Sequence, residues 1–202
     1  MSTPHTGALH TGALHTGPGH PGPLHTDAVA VLTAYEPADD RQAGLRAEYL
    51  RLLGERPDAT WRECVPAHLT ASTVVLDATG GRALLVLHRK ARMWLQMGGH
   101  CEPADARLAD AALREAREES GVAVRLLGGP VLLDRHRAPC GNGARFHYDV
   151  MYAALAPPDA EAALTEESLD IGWFDVGDLP EPTDDALRAL VAAGVARFRA
   201  LA

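Results

Sequence analysis

The chain has 202 residues, with 27 acids against 19 bases and a net charge of −8. That length suits one ordinary domain with an appendage, and a hydrophobic fraction of 47% is ample for a core. No long basic run occurs, which argues against binding nucleic acid as a polymer, and no apolar run approaches membrane-spanning length. Cys64, Cys101 and Cys140 are scattered without a Cys-x-x-Cys spacing, and the N-terminus lacks the basic and apolar regions of a secretory signal. A reducing cytoplasm is the expected location.

The first segment, Met1 to Thr26, repeats His-Thr-Gly-Ala-Leu and places histidine at positions 5, 10, 15, 20 and 25. A five-residue period is neither helical nor extended. With glycine and proline throughout, the segment buries little and is expected to be a disordered, non-catalytic tail; weak metal capture by its imidazoles is the functional alternative. A helical extension is expected over Asp27 to His68. Thr26 or Asp27 can cap a short helix ending near Tyr35, and Asp39 or Asp40 can cap a second. In that second helix Leu45, Tyr49, Leu52 and Leu53 form an apolar stripe, and Gly54 is positioned to stop it. This extension is free to serve as a lid, a substrate-selecting flank or a homodimer contact.

The remaining unit, Leu69 to Ala202, opens with strands at Leu69–Asp77 and Ala83–His88, joined by Thr79-Gly80-Gly81. His88-Arg89-Lys90 reads as a solvated turn or a phosphate contact. Met93 to Gln96 is a short strand leading into Gly98-Gly99. Ala106 to Ser120 lacks Gly and Pro and is rich in Ala, Leu, Arg and Glu, so a helix is expected from about Arg107, with Gly121 as its left-handed terminator. At helical spacing Ala109, Leu113 and Ala116 share a core side, while Arg107, Asp110, Arg114 and Arg117 share a solvent side. Leu108, Ala111 and Ala112 continue into Glu115, Glu118 and Glu119 on the third.

Those three carboxylates converge, but like-charge neighbours on an exposed helix cost only about 0.2–0.5 kcal/mol per pair. Repulsion alone therefore demands no cation, and a solvated acidic face is the plain alternative. The case for a cation is the combination of convergent acids, small alanines and a glycine-rich loop feeding the helix. Oxygen donors of this kind suit Mg²⁺ or Mn²⁺.

Past the helix, strands are expected at Val122–Leu127, Val131–Arg137, Arg145–Leu155 and Ile171–Asp175. In the third of these Phe146, Tyr148, Val150 and Tyr152 alternate with His147, Asp149 and Met151. Thr183 can cap a final helix with Leu187, Leu190, Val191, Phe198 and Leu201 inward. The result is an α/β sandwich with a mixed sheet.

Gly99, the loop after it, and Arg114-Glu115-Ala116-Arg117-Glu118-Glu119-Ser120-Gly121-Val122 resemble the signature of the Nudix hydrolase family. That signature reads Gly, five residues, Glu, seven residues, then Arg-Glu-(apolar)-x-Glu-Glu-x-Gly-(apolar). Two positions depart from it: Asp105 takes the early glutamate, with eight residues before Arg114 instead of seven, and Met97 stands where many members have proline. The resemblance covers the chain from Leu69 onward and implies the Nudix α/β/α sandwich. It also implies Mg²⁺- or Mn²⁺-dependent hydrolysis of a diphosphate linkage in a small phosphorylated substrate such as a nucleoside diphosphate derivative. It assigns the metal to Glu115, Glu118, Glu119 and the Gly99 carbonyl, and makes Arg114 the residue that orients the glutamates.

Similar acidic segments before a Trp occur in the family, which nominates Glu167, then Asp170, as a base or further ligand. His100 and His147 can line the pocket or be ordinary histidines, and Tyr148, Tyr152 and Trp94 can stack on a base or simply pack in the core. Two other readings stay open: a nucleotide-binding regulatory module without turnover, and a Nudix-related isoprenoid diphosphate isomerase.

Overall fold

The computed structural model describes residues 22–201 apart from positions 139, 142 and 167, so the histidine repeat up to residue 21 and Glu167 lie outside the described residues. The first helix, α1 (Pro23–Ala34), starts earlier than expected, with Gly22 as N-cap and proline in the first turn. Proline lacks an N–H that would go unpaired there and presets a helical φ. Thr26 and Asp27 are thus inside the helix. Thr26 Oγ1 donates to the Gly22 carbonyl, and Asp27 reaches a different helix, described below. The second, α2 (Asp40–Glu55), is capped by Asp39, whose carboxylate accepts from Gln42 N at 2.7 Å. It runs through Gly54 and ends where Arg56 N bonds the Leu52 carbonyl. The apolar contacts of Leu52 and Leu53 outweigh one glycine's modest helix penalty.

Among the described residues eight strands form one curled mixed sheet: β1 (Ala67–Leu76), β2 (Arg82–His88), β3 (Trp94–Leu95), β4 (Met97–His100), β5 (Arg125–Leu126), β6 (Leu132–Arg137), β7 (Phe146–Leu155) and β8 (Ser168–Asp175). β1 and β7 run parallel along their whole length, and β1 also pairs antiparallel with β2 and β4. β5 is shorter than the expected Val122–Leu127 because only Arg125 and Leu126 find register partners, Leu155 and Ala154.

Side-chain alternation gives the sheet two different faces. On one face Thr73 Oγ1 of β1 donates to the Ala112 carbonyl of α3 (Leu108–Ser120), and Leu69, Ala71, Val150 and Tyr152 join a core with α1, α2 and α3. On the other, Val74, Leu76, Met151 and Ala153 pack on α4 (Asp185–Leu201). The layers are therefore helix, sheet, helix. The start of α4 differs from expectation. Thr183 Oγ1 donates to the Trp94 carbonyl, and Asp184 caps the helix through Leu187 N at 2.8 Å. Leu201 is 63% exposed, because the apolar face ends at Val195 and the half-buried Phe198.

Candidate active site on the acidic helix

Helix α3 begins one residue later than expected, with Arg107 as N-cap, and Gly121 ends it at φ 71°. Arg107 makes no side-chain cap. The Asp27 carboxylate of α1 accepts from Leu108 N at 2.8 Å instead, placing a negative charge on the positive end of the helix dipole. The core face also differs: Leu108, Ala111, Ala112, Ala116 and Glu119 are buried, while Ala109 and Leu113 are only half-buried. The alanines let the helix lie close to the sheet, and the same stripe carries Glu119 inward.

The three glutamates occupy graded environments. Glu118 is exposed, Glu115 is half-buried and Glu119 is 7% exposed. Glu119 Oε1 accepts from Gly98 N at 2.8 Å, which ties the helix to the glycine loop. Glu115 lies over Gly99 so closely that a Cβ there would meet its carboxylate at 2.6 Å. Gly98 is equally constrained from the other side, where a Cβ would stand 2.3 Å from that of Ser72. Both glycines are therefore required by close approach.

Arg114 gathers this cluster. Its Nη1 reaches Glu115 at 2.9 Å and Glu118 at 3.0 Å, and its Nη2 donates to the His100 carbonyl at 2.8 Å. Behind it, Asp105 accepts from Nε at 3.3 Å and from Nη2 at 3.0 Å, a forked pairing that only a guanidinium can make. Burial works against the Arg114 charge, but Asp105 and Glu115 outweigh it and raise its pKa. Asp105 is the residue the sequence left without a partner. Its carboxylate is 4% exposed and also accepts from Glu102 N, so it acts as the anchor of Arg114.

The other nominated residues separate. Asp170 is exposed on β8 and its carboxylate accepts from Ile171 N. Arg89 donates to the carbonyls of Glu166 and Ser168, bracing the entry to β8. Tyr148 and Tyr152 are core residues: Tyr148 packs on Tyr49 with ring centroids 4.8 Å apart, and Tyr152 is 1% exposed. Trp94 packs edge-on against Phe174. His100 and His147 are not beside the glutamates. Their rings lie 4.9 Å apart on the opposite face of the sheet, and burial, followed by neighbouring histidines, pushes them down to about 4 and about 3.

The NUDIX domain family matches residues 66–193. Among solved structures, a NUDIX-family hydrolase from Clostridium perfringens is 22% identical with a TM-score of 0.52, the match covering 67% of this chain and 98% of that one. The dihydroneopterin triphosphate pyrophosphohydrolase of E. coli is 17% identical with a TM-score of 0.53, covering 63% and 94%. An Ap4A hydrolase of C. elegans is 18% identical with a TM-score of 0.50, covering 66% and 96%. No curated protein matches in sequence. At these identities the neighbours speak for the fold, and the family match spans most of the chain, signature helix included. The chain belongs to the Nudix hydrolase family.

Proposed function

We propose that the protein is a divalent-metal-dependent hydrolase of a diphosphate linkage in a nucleoside diphosphate derivative or related small molecule. The observation that carries this reading is the placement of the three acids around the glycine loop: Arg114 bridges Glu115 and Glu118, Glu115 lies against Gly99, and Glu119 accepts from Gly98 N.

The donor set fits Mg²⁺ or Mn²⁺: three carboxylates, with the Gly99 carbonyl nominated as a fourth ligand, supply hard oxygens. Bound there, such an ion supplies charge neutralisation on phosphate oxygens and a water of lowered pKa. The chain's own contribution is positional. Gly98 N holds Glu119, and Arg114 holds Glu115 and Glu118, so the carboxylates are ordered in advance. Asp105 in turn holds Arg114. Glu118, the most exposed of the three, would accept a proton from water where Glu115 and Glu119 carried most of the ion's coordination, its Arg114 contact keeping it in place. Glu167 retains its nomination as an alternative base. The preference for a hydrolase over a regulatory module rests on the presence of all three acids.

The test is a panel of nucleoside triphosphates, nucleotide sugars, dinucleoside polyphosphates and coenzymes assayed with Mg²⁺ or Mn²⁺. Turnover of at least one member, abolished by EDTA, is expected, and the best substrate run in ¹⁸O-water identifies the phosphorus attacked. Metal-independent turnover, or substrate binding without turnover throughout the panel, overturns the reading.

A further inference from the structure

We propose that His68, His100, Cys140 and His147 form a zinc site, separate from the acidic helix and closed by four protein ligands. Their ligand atoms all lie within 4.8 Å of one another. His100 Nε2 is 3.1 Å from His68 Nε2. Cys140 Sγ is 3.7 Å from each of these nitrogens and 2.9 Å from His147 Nε2. A tetrahedral zinc bound at roughly 2.0–2.1 Å by nitrogen and 2.3 Å by sulfur needs N···N separations of about 3.3 Å and S···N separations of about 3.6 Å. The His68–His100 separation and the two longer Cys140 separations match a tetrahedron's edges within a few tenths of an ångström; the Cys140–His147 contact would lengthen by somewhat more, and the His147 nitrogen lies within 4.8 Å of the other two, so its ring must adjust to bind.

The backbone explains why they meet. His68 and His147 are register partners on the parallel strands β1 and β7. His100 ends β4, where its partner on β1 is Thr70, two residues along the same face from His68. Alternation along β4 turns Gly99 toward Glu115 and His100 to the far side of the sheet. Cys140, in the connection between β6 and β7, closes the set over the three rings, whose centroids lie 4.9–5.0 Å apart.

The surroundings suit a metal site as well. His68 Nδ1 is 3.1 Å from the Cys64 carbonyl, a buried contact that fixes the proton on Nδ1 and leaves the Nε2 lone pair facing the cluster. Metal-ligating histidines characteristically make this outer hydrogen bond. Three imidazoles and one thiolate are a borderline-soft set that selects zinc over Mg²⁺. With every position taken by protein, the site has the closed form of a structural centre, clamping β1, β4, β7 and the β6–β7 connection. The cluster is independent of the diphosphate chemistry of the helix.

The experiment uses the full chain, reduced and purified without chelator. Elemental analysis is expected to find tightly held zinc. Exchange for Co²⁺ is expected to give strong visible bands of tetrahedral cobalt and a near-ultraviolet thiolate-to-cobalt charge-transfer band. That band is the decisive reading, because the N-terminal histidines and the helix glutamates can bind cobalt but bring no thiolate. Cys140→Ser should abolish it and His147→Ala should weaken cobalt binding at least tenfold, whereas Cys64→Ser, which keeps its carbonyl, should retain the band. No thiolate band in the parent at saturating Co²⁺, or a band that survives Cys140→Ser, overturns the proposal and leaves a hydrogen-bonded cluster. The parent's own spectrum decides the matter even if a variant fails to fold.

Discussion

The two faces of the sheet collect functional side chains in opposite ways. The α3 face takes its acids from one helix, and Gly98, Asp105 and Arg114, which hold them, lie in the same stretch of chain. The far face takes its imidazoles and thiol from positions 68, 100, 140 and 147, which three different strands and a loop bring together. The first arrangement is hard and oxygen-rich, the second softer and rich in nitrogen and sulfur. The contrast shows that short-range spacing reveals a site only when one element carries it. A site assembled across strands leaves single histidines and a stray cysteine in the sequence.

The largest effects should fall on activity. Glu118→Gln and Glu119→Gln are each expected to lower kcat by about 10²–10³ or more, the usual loss when transition-state charge stabilisation is removed. In EDTA neither should melt below the parent: Glu118 is exposed, and a glutamine at position 119 can still accept from Gly98 N. Steady-state kinetics over a Mg²⁺ series beside thermal melts would separate the two effects. Parental activity with parental Mg²⁺ dependence in either variant would remove that residue from the catalytic set.

Next comes Arg114→Ala, which strands Asp105 and Glu115 without their cation in a largely buried setting. Breaking such a cluster should cost about 3 kcal/mol, seen as a lower denaturant midpoint with an unchanged slope. Arg114→Lys should recover only a small part, because one ammonium cannot reproduce the forked contact to Asp105 together with the bonds to Glu115 and the His100 carbonyl. A variant as stable as the parent would make the α3 face as loosely organised as an ordinary acidic surface.

A smaller change tests a remote contact of that face. Asp27→Ala removes the acceptor at the start of α3 and should cost about 1 kcal/mol, read by chemical denaturation, as loss of a helix cap does.

The smallest effect belongs to Asp77, in the turn between β1 and β2, away from both clusters. Burial raises its pKa, but Thr79, Arg82 and the backbone N–H groups of Gly81 and Arg82 outweigh that and lower it. A depressed carboxyl contributes stability above its unfolded pKa and loses it as the pH falls through the folded value. Asp77→Asn should therefore cost about 1 kcal/mol or slightly less at pH 7. The difference from the parent should fade as the pH falls below about 3.9, the ordinary value for an aspartate. A gap that stays constant through acid would mean that the carboxylate's charge contributes nothing.

The legible parts of the sequence were those governed by local rules. Gly121 ends its helix in the left-handed conformation, Asp39 caps α2, and the β7 alternation divides its aromatic residues from His147 and Asp149 as expected. What spacing could not supply were partners. Asp105 stands one position out of step with the family pattern, yet its carboxylate meets Arg114 because the longer loop still folds back under the guanidinium. Local rules offer Asp27, as an alternative to Thr26, and Thr183 as caps of their own helices. Each instead bonds a distant backbone group, Leu108 N or the Trp94 carbonyl, and a local rule assigns only local partners. Periodicity also puts the core side of α3 on Ala109, Leu113 and Ala116, whereas the buried stripe is Leu108, Ala111, Ala112, Ala116 and Glu119, because alanines occur on both sides and do not mark one as apolar.

The Asp27 tie has a consequence for where the protein can be divided. The family match starts at residue 66, beyond α1 and α2. A chain cut there would lose the carboxylate at the head of the acidic helix α3. It would also uncover Leu69, Leu108 and Tyr152, which share one apolar core with Leu24, Leu32 and Tyr49. The stretch defined by family likeness is thus smaller than the stretch that shares this core, and the two N-terminal helices form one wall of it.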